Sequence, residues 1–146
     1  MNFFKLPEKE KKLIIKSLAQ KAKLPEAAVE KDWWVVQTLR IVFGMETSSH
    51  MVFKGGTSLS KAWGLIKRFS EDIDLALAQE FFGYHENIPR NRIKKLRRDS
   101  AAYVSGEFFK TIQLAFNPTG PKPLQKGLRP RTLYPEFVLL RLIKLP

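Results

Sequence analysis

The chain has 146 residues, 44% of them apolar with 11 Phe and 3 Trp, which is material for one ordinary core. It has no cysteine and only two histidines, His50 and His85, which excludes a disulfide framework and a thiolate metal site and disfavours a zinc centre or a His-based triad. The net charge of +12 is uneven: residues 1–85 carry 13 Lys/Arg against 10 Asp/Glu (+3), and residues 86–146 carry 13 against 4 (+9), an excess that favours a polyanionic partner.

From the N-terminus, MNFFKLPEKEKK has no signal-peptide core, and no apolar run in the chain approaches the ~18 residues of a membrane span, so a cytoplasmic location is expected. Pro7 fits a first-turn position, and Glu8 to Ala22 reads as a helix with Ile14, Leu18 and Ala22 inward. Pro25 restarts the pattern. A second helix follows, with Val29, Trp33, Val36, Leu39 and Phe43 as its apolar stripe and Gly44 at its end. Lys31 and Asp32 read as part of its solvated face.

Glu46 to His50 is a polar loop leading into Met51-Val52-Phe53, a short buried strand. Gly55-Gly56 breaks that strand. Thr57 to Ile66 then places Leu59, Ala62, Trp63 and Ile66 on one face of a helix. After Lys67-Arg68 the period changes to two. Asp72, Asp74 and Ala76 fall on one face of a strand, and Ile73, Leu75 and Leu77 on the other.

This order has a chemical meaning. Glycine lets a backbone approach an anion closely, and the first turn of a helix points free N–H groups at the same place. Two aspartates at i and i+2 project side by side, and their hard oxygens suit Mg²⁺, which takes one or two carboxylates together with phosphate oxygens. Gly55, Gly56, Thr57 and Ser58 are the expected phosphate cradle, with Lys61 or Arg68 offsetting charge and Asp72 and Asp74 holding the metal. The bland alternatives are a simple turn, an N-cap at Thr57 or Ser58, and a structural pair between Arg68 and Asp72. The spacing is not that of a Walker A loop, which disfavours a P-loop ATPase.

FKGGTSLSKAWGLIKRFSEDIDLAL resembles the core of the AbiEii/AbiGii toxin family of nucleotidyltransferases, and EKDWWVVQTLR resembles the helix that precedes it there. The resemblance is close from about Val29 to Leu77. It implies an α/β (α+β) fold of the DNA polymerase β-like nucleotidyltransferase superfamily, a small mixed sheet flanked by helices. It also implies Mg²⁺-dependent transfer of a nucleoside monophosphate from an NTP with release of pyrophosphate, and a bacterial toxin role beside a cognate antitoxin, with tRNA or protein as acceptor. Such enzymes commonly add a third carboxylate on a later strand. The later acids here, Glu80, Glu86, Asp99, Glu107 and Glu136, match no such motif. The expectation is therefore a core at 1–116 lacking the family's helical C-terminal part. The alternative is a catalytically impaired relative that binds RNA or an antitoxin, and a weaker one is a kinase-like phosphotransferase.

Beyond Leu77, residues 78–89 read as a loop. Pro89 opens a helix to about Phe109, with six basic residues among the nine from Arg90 to Arg98. Thr111 to Phe116 alternates and reads as a strand. Residues 117–135 are Pro/Gly-rich and basic, a loop or linker, and EFVLLRLIKLP is an apolar end in need of a surface to cover it.

Overall fold

The computed structural model describes residues 3, 6–67, 72–85 and 88–116, and the backbone of 128–134 and 137–142. Arg68, expected at the phosphate cradle, lies outside the described residues, as does most of the linker stretch. Helix α1 (Glu8–Ala22) ends where Lys23 turns left-handed at φ 55° and its N–H returns to the Ala19 and Gln20 carbonyls. Helix α2 (Glu26–Val42) starts after Pro25, whose fixed φ suits a helix entrance. A 3-10 turn (Glu46–His50) leads into β1 (Met51–Lys54), α3 (Gly55–Lys61) and β2 (Ile73–Ala78). A second 3-10 turn (Gln79–Phe82) precedes α4 (Arg90–Tyr103), a π-helical turn (Val104–Phe108) and α5 (Phe109–Phe116). Strands β3 (Leu128–Tyr134) and β4 (Phe137–Leu142) follow.

The sheet order is β1-β2-β4-β3, and each of these pairings is antiparallel. The α+β class is as expected; the sheet, expected to be mixed, contains no parallel pair among the described residues. The connection from β1 to β2, residues 55–72, is long enough for a parallel crossover of a dozen or more residues, but α3 within it is only seven residues long and the chain re-enters the sheet beside its exit, with Lys54 opposite Asp74. One further expectation is corrected: Leu128 to Tyr134, in the stretch read as loop or linker, forms β3. The apolar end, expected to need a surface, supplies Phe137 to Leu142 as β4, which pairs with β2.

The core lies between β2 and the helices. Ile73, Leu75 and Leu77 are fully buried, as their period of two requires, against Trp34, Val35, Val42, Leu96, Val104, Phe108, Ile112 and Phe116. The inward face of α2 is Trp34, Val35, Thr38 and Val42, not the expected stripe: Val36 and Phe43 are exposed and Val29, Trp33 and Leu39 half-buried. Apolar residues surround this helix, so periodicity alone does not choose a face. The packing partner does, and the Trp34 ring meets Phe116 edge-on at 5.7 Å. On α1 the buried residue is Ala19, while Leu18 and Ala22 are exposed.

Residues 109–116 are helical, not a strand. The alternation of Ile112, Leu114 and Phe116 hides a four-residue spacing: Leu96, Ser100, Val104, Phe108, Ile112 and Phe116 are all buried, while Leu114 is 60% exposed. Four-residue steps drift by about 40° each on a 3.6-residue helix, or about 200° over the five steps. The π turn absorbs one extra residue, about 100° of that drift. The remainder is met by a change of neighbour, since α4 packs on the Gln79–Phe82 turn and β3, and α5 on α2.

Candidate functional site

Position 55 begins α3 directly after β1, with the backbone at φ +77°. That left-handed conformation is open to glycine and costly for residues with a Cβ. Space makes the same demand. A Cβ at Gly55 would lie 3.1 Å from Asp74 Cγ and 3.2 Å from Asp74 Cβ, and nearer still to Asp74 Oδ2. The glycine backbone therefore lies directly against the carboxylate of Asp74. The sheet register explains the meeting: Lys54 is the cross-strand partner of Asp74, so the next residue of the β1 chain turns over that side chain.

A second link fastens the first turn of α3. The Thr57 hydroxyl donates to the Asp72 carbonyl at 2.5 Å, and Thr57 is 1% exposed. Thr57 thus bonds across to the entrance of β2, a tertiary role instead of the local N-cap. Ser58 is also buried, and its carbonyl accepts from the Ala62 and Trp63 N–H groups as the helix closes. Asp72 and Asp74 are half-buried. Asp74 projects from β2 away from the face that carries Ile73, Leu75 and Leu77, so its carboxylate stands clear of the apolar core.

The helix stops earlier than its apolar spacing predicts. It ends at Lys61, the Leu65 N–H reaches the Leu59 carbonyl at 2.9 Å, and Gly64 takes φ +63°. Leu59, Trp63 and Leu65 are consequently exposed and Ile66 half-buried. Lys61, expected on the phosphate side, forms an ion pair with Asp32 of α2. Asp32 is the residue that sequence reasoning left without a role. Nothing local in KDWW marks it, because its partner lies in another helix, 29 residues away. Gly55, Thr57, Asp72 and Asp74 are therefore brought together, Gly56 and Ser58 lie in the same turn, and Lys61 is tied to α2.

Among the described residues no three His, Cys, Asp or Glu side chains form a metal-holding group. The pair at 72 and 74 supplies two hard oxygen donors, which fits an ion that takes most of its ligands from phosphate and water.

An antiparallel sheet whose glycine turn rests on a strand-borne aspartate defines an α+β protein with a carboxylate site at the mouth of a helix. The family model for the nucleotidyl transferase AbiEii toxin, Type IV TA system, matches residues 40–136, and the chain belongs to that family. The match begins after most of α2 and continues well past Leu77, through β3. No curated protein and no solved structure matches. Membership places the chain among nucleotidyl transferase toxins of type IV toxin–antitoxin systems and implies a cognate antitoxin. No described helix is long and apolar enough to cross a membrane.

Proposed function

We propose that this chain transfers a nucleoside monophosphate from an NTP to a hydroxyl of an RNA, tRNA in particular, or of a protein, with Asp72 and Asp74 as the metal-binding carboxylates. The observation that carries this reading is the contact of the Gly55 backbone with the Asp74 carboxylate. It brings main chain that a phosphate can approach beside a carboxylate that can bind a cation, which supports the reading. Bound Mg²⁺ would screen the triphosphate and stabilise charge on the departing pyrophosphate.

The chain's own residues supply position. Gly55 and Gly56 present backbone without side-chain bulk, and Thr57 locks this turn to the strand carrying the carboxylates. Ser58 stands one residue further along the same turn. The acceptor oxygen attacks the α-phosphorus, the bond from that phosphorus to the bridging oxygen breaks, and pyrophosphate leaves in line with the attack. The acceptor proton passes to solvent or to a carboxylate of the site. Lys61 acts at one remove, because its ion pair with Asp32 fixes the end of α3 on α2.

The test uses NTP labelled at the α-phosphate, offered with total RNA and with a protein extract as acceptors. Wild type is expected to label an acceptor and release pyrophosphate. Asp72→Asn and Asp74→Asn, each folded by circular dichroism, are expected to lose roughly a hundred-fold or more, the scale on which charge-stabilising groups act. Equal labelling by wild type and both variants would overturn the assignment. Label transferred from the γ-phosphate instead would show a kinase.

A further inference from the structure

A concavity lies away from the glycine turn. Its volume is 480 Å³, within the ~300–1,000 Å³ usual for small-ligand sites, and none of Gly55, Thr57, Asp72 or Asp74 lines it. Its wall joins the segment after the second 3-10 turn to α4, and the residues that matter are Phe82, Tyr84, His85, Arg92, Lys95 and Asp99. Three are rings and two are cations. Arg92 and Lys95 are exposed, whereas Phe82 and Tyr84 are half-buried and so already partly ordered.

The rings are held from two directions. The Tyr84 hydroxyl donates to Asp99 Oδ2 at 3.1 Å, which pins the ring to α4. The Phe82 ring packs edge-on against Phe81 at 5.0 Å and Tyr103 at 5.9 Å, so it is fixed from behind. Arg92, Lys95 and Asp99 follow at i, i+3 and i+7 and therefore share one face of α4. A preset aromatic surface and a pair of cations lining one pocket suit a planar ring joined to one anion. The acid in the wall argues against a second polyphosphate site, since it would repel a chain of phosphates. It suits instead a hydrogen-bond donor on a base or a ribose.

We infer that this pocket binds one nucleotide unit of a single-stranded nucleic acid, with the base against Tyr84 and Phe82 and the adjoining phosphate on Arg92 and Lys95. A strand is favoured over a free nucleotide by the rest of α4. Arg98 stands at i+3 from Lys95, and Lys94 at i−4 from Arg98; both are exposed, so positive charge continues from the pocket round the solvent side of α4, where a neighbouring phosphate of a strand can use it. The inference is independent of the nucleotidyl-transfer reading. It holds or fails whether or not Asp72 and Asp74 do chemistry.

The experiment is fluorescence anisotropy of a labelled adenosine octaribonucleotide titrated with the full chain, with AMP as competitor. Tyr84→Ala is expected to weaken binding about ten-fold, on the scale of losing one base stack, while Tyr84→Phe stays within about three-fold. Arg92→Gln with Lys95→Gln is expected to weaken it roughly ten-fold or more and to flatten the salt dependence by one to two phosphate contacts. Lys12→Gln with Lys16→Gln, the same loss of charge on exposed positions of α1, is the control and should cost under about three-fold. Equal loss in both double variants would reduce the effect to bulk charge and overturn the pocket. An unchanged Tyr84→Ala would do the same. Should Tyr84→Ala fail to fold, the two double variants decide alone. Competition by AMP as effective as that of the unlabelled octamer would assign the pocket to free nucleotides and overturn the strand.

Discussion

At Gly55 one missing methyl group serves backbone and chemistry together. The φ of +77° and the adjacent Asp74 carboxylate both exclude a Cβ. Gly55→Ala should therefore destabilise the fold by roughly 2–3 kcal/mol in urea denaturation, as backbone strain and steric displacement add. It should also push Asp74 out of its rotamer. Gly64 separates the two effects. Its φ is +63°, but nothing lies within 4 Å of the point a Cβ would occupy, so Gly64→Ala should cost only about 1 kcal/mol, the left-handed penalty alone. Equal costs at the two positions would remove the close approach to Asp74 from the account. The ion pair of Lys61 with Asp32 is partly exposed, and a double-mutant cycle should find about 0.2–1 kcal/mol of coupling.

At the scale of elements, the long helical segment from Arg90 to Phe116 turns on the four-residue spacing of its buried side chains. Ile112→Ala should cost about 2–5 kcal/mol, whereas Leu114→Ala should stay within about 0.5 kcal/mol. A strand with both side chains inward would make the two similar. Gly106 sits in the π turn with open space at its Cβ position, so Gly106→Ala should be neutral or stabilise by up to about 1 kcal/mol. The first two helices, the β1 strand and the carboxylate strand β2 were legible in the sequence because each is announced by local signals: Pro at an entrance, Gly at a break, a clean period of two. The end of α3 was not, because the apolar spacing of Ala62, Trp63 and Ile66 continues past the left-handed Gly64. Nor was the inward face of α2, because which side of an all-round apolar helix is covered depends on Phe116, 82 residues after Trp34. In the site, the neighbourhood of Gly55 and Asp74 was legible from motif order, while the Lys61–Asp32 pair depends on how α3 sits on α2.

For the whole molecule, β4 has the largest consequence. It pairs with β2 along six residues, from Phe137 opposite Ala78 to Leu142 opposite Ile73. A chain ending at residue 127 would leave β2 with β1 alone on its other side, and a two-stranded ribbon is marginal in water. Such a chain should lose its cooperative urea transition. A retained transition would show that β3 and β4 add little to the core. Two tyrosines bear on stability at alkaline pH. Burial raises the Tyr103 hydroxyl above its ordinary value, the Thr47 hydrogen bond works against this, and Glu107 adds to it. Tyr84 is also raised, by desolvation and then by its hydrogen bond to Asp99. A raised acid binds its proton more tightly in the native state, so this stability is complete below the unfolded value near 10 and is lost as pH climbs through the folded value. Unfolding free energy should fall as pH rises past the ordinary tyrosine value, and Tyr103→Phe should flatten part of that fall.

The most direct test of the central claim needs no acceptor. Calorimetric titration of a non-transferable NTP analogue, with and without Mg²⁺, into wild type and into Asp74→Asn reads whether nucleotide and metal share the turn at Gly55. Wild type should bind at least about ten-fold tighter with Mg²⁺ present, and Asp74→Asn should lose that increment while keeping its fold. The same Mg²⁺ increment in both proteins would place the metal elsewhere and contradict the site built from Gly55, Asp72 and Asp74.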